Sequence, residues 1–187
     1  MSGETGEPGA ERVIASERVY RGKLLTFRVD RVALPSGRET TREVVEHPGA
    51  VAIVPLLDDG RVALVRQYRH AVGRALLEIP AGTRDHPGES AEAAAARELE
   101  EETGYRAARL VPLATFYTAP GFATEEMHLF LATGLTRGAQ GQMEDEDITV
   151  ELVPLADVPA LLARGDLADA KSLVGLLLAR DGVGRGA

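Results

Sequence analysis

At 187 residues with 44% hydrophobic side chains, the chain has enough apolar mass for one domain with a substantial core and is short for two. It contains no cysteine, which excludes disulfide frameworks, thiolate zinc sites and cysteine nucleophiles and fits a reducing cytoplasm. The net charge is −8, its acids concentrate at Glu89–Glu102 and Glu144–Glu151, and no basic patch is segregated, which argues against nucleic acid as a partner and points towards divalent cations.

Residues 1–12 are polar, contain Gly and Pro and lack an apolar core, so they read as a flexible tail and not as a signal peptide. Residues 13–47 form an expected N-terminal β-hairpin region: Val19–Leu34 and Arg38–Glu46 alternate apolar and polar residues around the turn signal Pro35-Ser36-Gly37. Residues 48–187 read as the main domain. Ala50–Leu57 is a near-continuous apolar run, as a strand buried on both faces requires, and Asp58-Asp59-Gly60 turns the chain into a second strand, Arg61–Tyr68. Leu76–Pro80 is a short extended piece that enters a Gly/Pro/Asp-rich loop, Gly82–Gly88. Ser90 caps a helix that runs from Ala91 to about Thr103, with Gly104 as its stop. Strands follow near Leu110–Tyr117, Met127–Ala132 and Ile148–Val153, then amphipathic helices near Leu155–Arg164 and Ala168–Arg180. The implied class is α/β, a mixed sheet covered by helices on both faces. The longest apolar runs, Ala50–Leu57 and Leu173–Ala179, are too short to span a membrane, so no membrane partner is expected.

The segment Ala81–Tyr105 carries the strongest chemical signal. On a helix Glu98, Glu101 and Glu102 are three and four residues apart and share one surface. Like charges at that spacing repel, and a bound cation relieves them. Oxygen-only ligation selects a hard ion, Mg2+ or Mn2+, over zinc. Arg97 stands four residues before Glu101 and can pair with it, whereas Glu100 points to the other face. A merely solvated acidic helix is the alternative, and the flanking residues argue against it. The four histidines, at 47, 70, 86 and 128, show no metal-like spacing, although His47 lies where it could touch substrate.

Arg97-Glu98-Leu99-Glu100-Glu101-Glu102-Thr103-Gly104-Tyr105 resembles the end of the Nudix box, R-E-U-x-E-E-x-G-U with U apolar. Seven residues separate Glu89 from Arg97, as in that box, and Gly82 opens it. Six residues lie between Gly82 and Glu89 where the common pattern has five, a change confined to the loop before the helix. The resemblance implies a Nudix-type α/β/α sandwich. Glu98, Glu101, Glu102 and the Ala81 carbonyl would be its metal ligands. Gly82, Glu89, Arg97 and Gly104 would be structural box residues, with Glu89 bracing the loop through Arg97.

Downstream, Tyr117–Glu125 is similar to the ADP-ribose pyrophosphatase subgroup, with Pro120 sixteen residues beyond Gly104. Tyr20-Arg21-Gly22, Arg42-Glu43-Val44, Val65–Arg69, Leu77–Gly82 and Asp169-Ala170-Lys171-Ser172 resemble it as well. This resemblance implies substrate binding by Arg42, Glu43, Arg69, Glu78 and Glu125. Arg42 and Arg69 suit a diphosphate because guanidinium groups grip phosphate in bidentate fashion. Met143–Asp147 corresponds to an acidic loop in which Glu144 would be the general base and Glu146 a further metal ligand, the two being exchangeable. Glu101 and Glu102 would complete the catalytic set. A homodimer is implied, with the hairpin of about Val19–Glu46 crossing to the partner. The expected activity is Mg2+-dependent cleavage of ADP-ribose to AMP and ribose 5-phosphate. Other nucleoside diphosphate derivatives (a nucleotide sugar, NADH, a dinucleoside polyphosphate), an oxidised nucleoside triphosphate, or a catalytically silent nucleotide sensor are the alternatives. The intact box carboxylates weigh against the last.

Overall fold

The computed structural model describes residues 9–138 and 148–182. These cluster into two units: the chain up to Pro48 with Ala119–Glu125, and Gly49–Thr118 with the chain from Glu126 onward. In the first unit the Pro35-Ser36-Gly37 turn closes as its composition predicts, with Gly37 N donating to the Leu34 carbonyl at 2.8 Å. It joins β2 (Thr26–Ala33) to β3 (Glu39–Glu46) in an antiparallel hairpin. Val19–Leu34 is not one strand, however. Gly22 turns the chain, its N–H bonded to the Leu25 carbonyl at 2.8 Å, and an additional strand, β1 (Arg12–Arg21), pairs antiparallel with β2. β1 escapes a reading of hydrophobic period because almost every residue along it is exposed, so it lacks the apolar alternation that burial of one face imposes. The Pro120-Gly121 segment lies along β3 of the same unit, with Val45 N bonded to the Phe122 carbonyl and Thr124 N to the Val45 carbonyl.

The second unit is built around β4 (Ala50–Pro55), in which every residue is buried. β4 runs parallel to β9 (Glu126–Arg137) and antiparallel to the short β7 (Ala81–Thr83) in a mixed sheet of order β7-β4-β9-β8, where β8 is Tyr105–Tyr117. A three-stranded antiparallel sheet has the order β10-β5-β6, from Thr149–Pro154, Arg61–Arg69 and Arg74–Glu78. The Asp58-Asp59-Gly60 turn forms, but β4 and β5 then diverge into different sheets after the bridge Leu56↔Val62.

Strand alternation assigns the two faces of the mixed sheet. Val51 and Ile53 of β4 pack with Ala94, Ala95 and Leu99 of α1 (Ala91–Thr103). Ala52 and Val54 pack with Leu176 and Ala179 of α3 (Ala170–Arg180) and with Val158 and Leu161 of α2 (Val158–Arg164). This is the expected α/β/α sandwich. The expected helix at Leu155–Arg164 begins instead with a 3-10 turn, Leu155–Asp157, and turns α-helical at Val158. Among the described residues no helix is long and apolar enough to cross a membrane.

Candidate active site

Local chemistry sets α1. Ser90 Oγ accepts from Ala93 N at 3.1 Å, satisfying one of the donors that a helix start leaves open, and Gly104 closes the far end at φ 70°. The helix buries Ala94, Ala95 and Leu99 against β4, and this orientation carries Glu98 and Glu102 into a cleft with Ala81 and Gly82 of β7. Gly82 has to be glycine for want of room: a β-carbon there would coincide with the Glu98 carboxylate.

One guanidinium serves most of the acidic stripe. Arg97 bonds Glu89 at 3.1 and 3.2 Å, Glu98 at 2.6 Å and Glu101 at 2.9 Å. Its hydrogen bonds to Glu89, with further ones to Glu98 and Glu101, raise the Arg97 pKa, and the same pairing holds Glu89 below the usual carboxylate range. Glu102 is 4% exposed and accepts from Ala81 N at 3.1 Å, tying β7 to α1. Glu100, on another face of the helix, pairs with Arg106.

Arg97 and the Ala81 amide bond these carboxylates, and among the described residues no three acidic or histidine groups converge on one point. The donors nevertheless fit a hard divalent cation. They are all oxygens, one guanidinium pairs with three carboxylates, and the space that a Gly82 side chain would fill is what lets Glu98 enter the cleft.

The opposite wall comes from β5. Arg69 lines the cleft and is held in bidentate fashion by Glu78, at 2.9 and 2.7 Å. Glu78 is 1% exposed and also bonds Lys171, which in turn bonds Asp169 at 2.8 Å. Burial by itself would raise the Glu78 pKa, but the Arg69 hydrogen bonds and the Lys171 charge outweigh it and leave the carboxyl below its ordinary value. Both Glu78 oxygens are therefore spent on cations, and it is Arg69 that reaches the cleft. Asp169 and Lys171 carry no role in the sequence reading beyond their resemblance, since Lys171 meets Glu78 across 93 residues of chain.

The remaining expected site residues lie in the first unit. Arg42 and Glu43 line a concavity with Pro120–Thr124, and Arg42 bonds Glu11 at 3.1 and 2.5 Å. Glu125 stands 3.8 Å from His47 Nε2. Glu144 and Glu146 fall outside the described residues. Gln67, two residues before Arg69 and lining the same cleft, enters the sequence reading only within the resembling segment Val65–Arg69, with no role of its own. The period of β5 could have found it, because Gln67 must share a face with Arg69.

The model of the NUDIX domain matches residues 46–174, and that of the nucleoside diphosphate sugar hydrolase N-terminal domain matches residues 11–45. The chain belongs to the Nudix hydrolase family, whose members generally use divalent metal ions. It is similar to an ADP-ribose pyrophosphatase of Bacillus subtilis, with 43% identity over 164 residues, 87% of this chain and 88% of the relative. An ADP-ribose pyrophosphatase of Mycobacterium tuberculosis is 42% identical over 166 residues, 88% of this chain and 80% of the relative. The crystal structure of an ADP compounds hydrolase matches with a TM-score of 0.82 and 30% identity over 91% of this chain and 92% of the other.

Proposed function

We propose that the chain hydrolyses ADP-ribose to AMP and ribose 5-phosphate with Mg2+, for which Mn2+ can substitute. The observation that carries this reading is the cleft itself, where Glu98, Glu101 and Glu102 on one helix face Arg69 on β5. The two relatives named ADP-ribose pyrophosphatase support the choice of substrate.

Glu98, Glu101, Glu102 and the Ala81 carbonyl would hold the cation. Bound there, it would neutralise the diphosphate and acidify the attacking water. Arg97 fixes the rotamers of Glu98 and Glu101, and Arg69, oriented by Glu78, offers its guanidinium to the diphosphate. Arg42, Glu43 and Glu125 are assigned to the substrate by resemblance. Glu144 as general base, with Glu146 as a further ligand, likewise rests on resemblance. In the net reaction water adds to one phosphorus, the bond from that phosphorus to the bridging oxygen breaks, and the water's proton passes to the base. Exchange of the N-terminal hairpin in a homodimer, and residence in the cytoplasm, belong to the same proposal.

Hydrolysis in 18O-labelled water with Mg2+ tests it: AMP and ribose 5-phosphate should appear, one of them carrying the label. Turnover of ADP-ribose far below that of a nucleotide sugar, NADH or a dinucleoside polyphosphate would refute the substrate. A nucleoside diphosphate sugar is the second reading, favoured by the match over residues 11–45.

A further inference from the structure

β5 sends alternate side chains to opposite sides. Arg66 turns out to pair with Glu151 of β10, and Tyr68 is exposed, which leaves Gln67 and Arg69 on the cleft side. Gln67 is 9% exposed, yet its amide Nε2 has no hydrogen-bond partner among the described residues. Buried amide donors are almost always satisfied, so an orphan of this kind calls for a ligand. Carboxylates line the same cleft and meet other donors, Arg97 at Glu98 Oε1 and Glu101 Oε2 and the Ala81 amide at Glu102 Oε2, and none of them accepts from Gln67 Nε2.

An N–H group cannot ligate a cation; it needs an oxygen acceptor. Arg69 lies two residues further along the same face, so an acceptor that meets both is anionic and carries several oxygens. We infer that Gln67 Nε2 donates to a non-bridging phosphoryl oxygen of the diphosphate beside Arg69, making Gln67 a substrate-binding residue of the reaction. The inference rests on the cleft being the diphosphate site proposed above. The residue type suits the place. A further arginine here would pair with the box carboxylates and compete with the cation, and a carboxylate would repel the phosphate. A primary amide donates while adding no charge.

The test uses the full chain with Mg2+ and ADP-ribose, comparing Gln67→Met and Gln67→Glu with the wild type in steady-state turnover and thermal unfolding. Gln67→Met should lose about tenfold or more in kcat/KM, the usual worth of a hydrogen bond to a charged group. It should melt at or above the wild-type temperature, because it removes a buried donor that nothing in the fold satisfies. Gln67→Glu should lose at least as much. Wild-type kcat/KM in Gln67→Met would overturn the inference. So would a lowered melting temperature there, which would mean the amide is bonded within the fold. Retained activity in Gln67→Glu would also overturn it, by placing the side-chain oxygen, not the N–H, on the ligand. A wild-type chain inert towards ADP-ribose would instead strike the functional reading.

Discussion

Helices α1 and α3 cover opposite faces of β4, are 13 and 11 residues long, and are each capped by a side chain that accepts from a backbone amide in the first turn. Their charge balances differ. At α1, Arg97 bonds Glu89, Glu98 and Glu101, and Glu102 stands beside them in the cleft that Arg69 lines from β5. At α3, Lys171 and Asp169 join Arg69 and Glu78 in a set of two cations and two anions. A charge-balanced network is self-contained, and here it orients Arg69 at the cleft. Carboxylates gathered on one helix face are a pattern that a bound cation would balance, which is the role proposed for the α1 cleft.

The largest expected effect falls on the α1 side. Glu98→Gln or Glu102→Gln should lower kcat with ADP-ribose by about 10²–10³-fold, the usual cost of losing a preorganised electrostatic group. Circular dichroism should show the fold kept. A near-wild-type rate would remove Glu98 and Glu102 from the metal site.

On the α3 side the effects should fall on stability. Leu176 of α3 is fully buried between the helix and β4, and Leu176→Ala should cost about 2–5 kcal/mol in denaturant unfolding. The rate of the folded protein should hardly change. Equal stability would mean that this face collapses around the lost volume.

Lys171→Met should cost about 1–3 kcal/mol at neutral pH by leaving Glu78 with one cation in place of two. It also carries a pH signature. Glu78 has its folded pKa held low, so its contribution is present above the unfolded carboxyl value of about 4.3 and is lost as pH falls through the folded value. Removing Lys171 raises the folded value, so acid unfolding should begin at higher pH than in the wild type. An unshifted acid transition would show that Arg69 alone neutralises Glu78.

The smallest effects compare the caps. Ser90→Ala should cost about 1 kcal/mol. Asp169→Ala should cost more, because Asp169 Oδ1 both caps Ser172 N at 3.1 Å and holds Lys171 at 2.8 Å. Equal melting temperatures for the two variants would show that the Lys171 contact adds nothing.

What the amino-acid sequence determined by itself is the part governed by near neighbours. Ser90, Gly104 and the three- and four-residue spacing of Glu98, Glu101 and Glu102 define a capped helix with an acidic stripe, because capping and helical period are local. The apolar run at Ala50 likewise marks a strand buried on both faces. Tertiary structure alone decided the rest. The edge strand β1 exists through its pairing with β2 and carries no burial pattern of its own. Lys171 reaches Glu78 only because α3 packs on β4 and β9 and brings its first turn to the end of β6, and the Gln67 amide nitrogen has no partner among the described residues although carboxylates line the same cleft. Whether a polar group is paired depends on residues far away in the chain, and no local pattern encodes that.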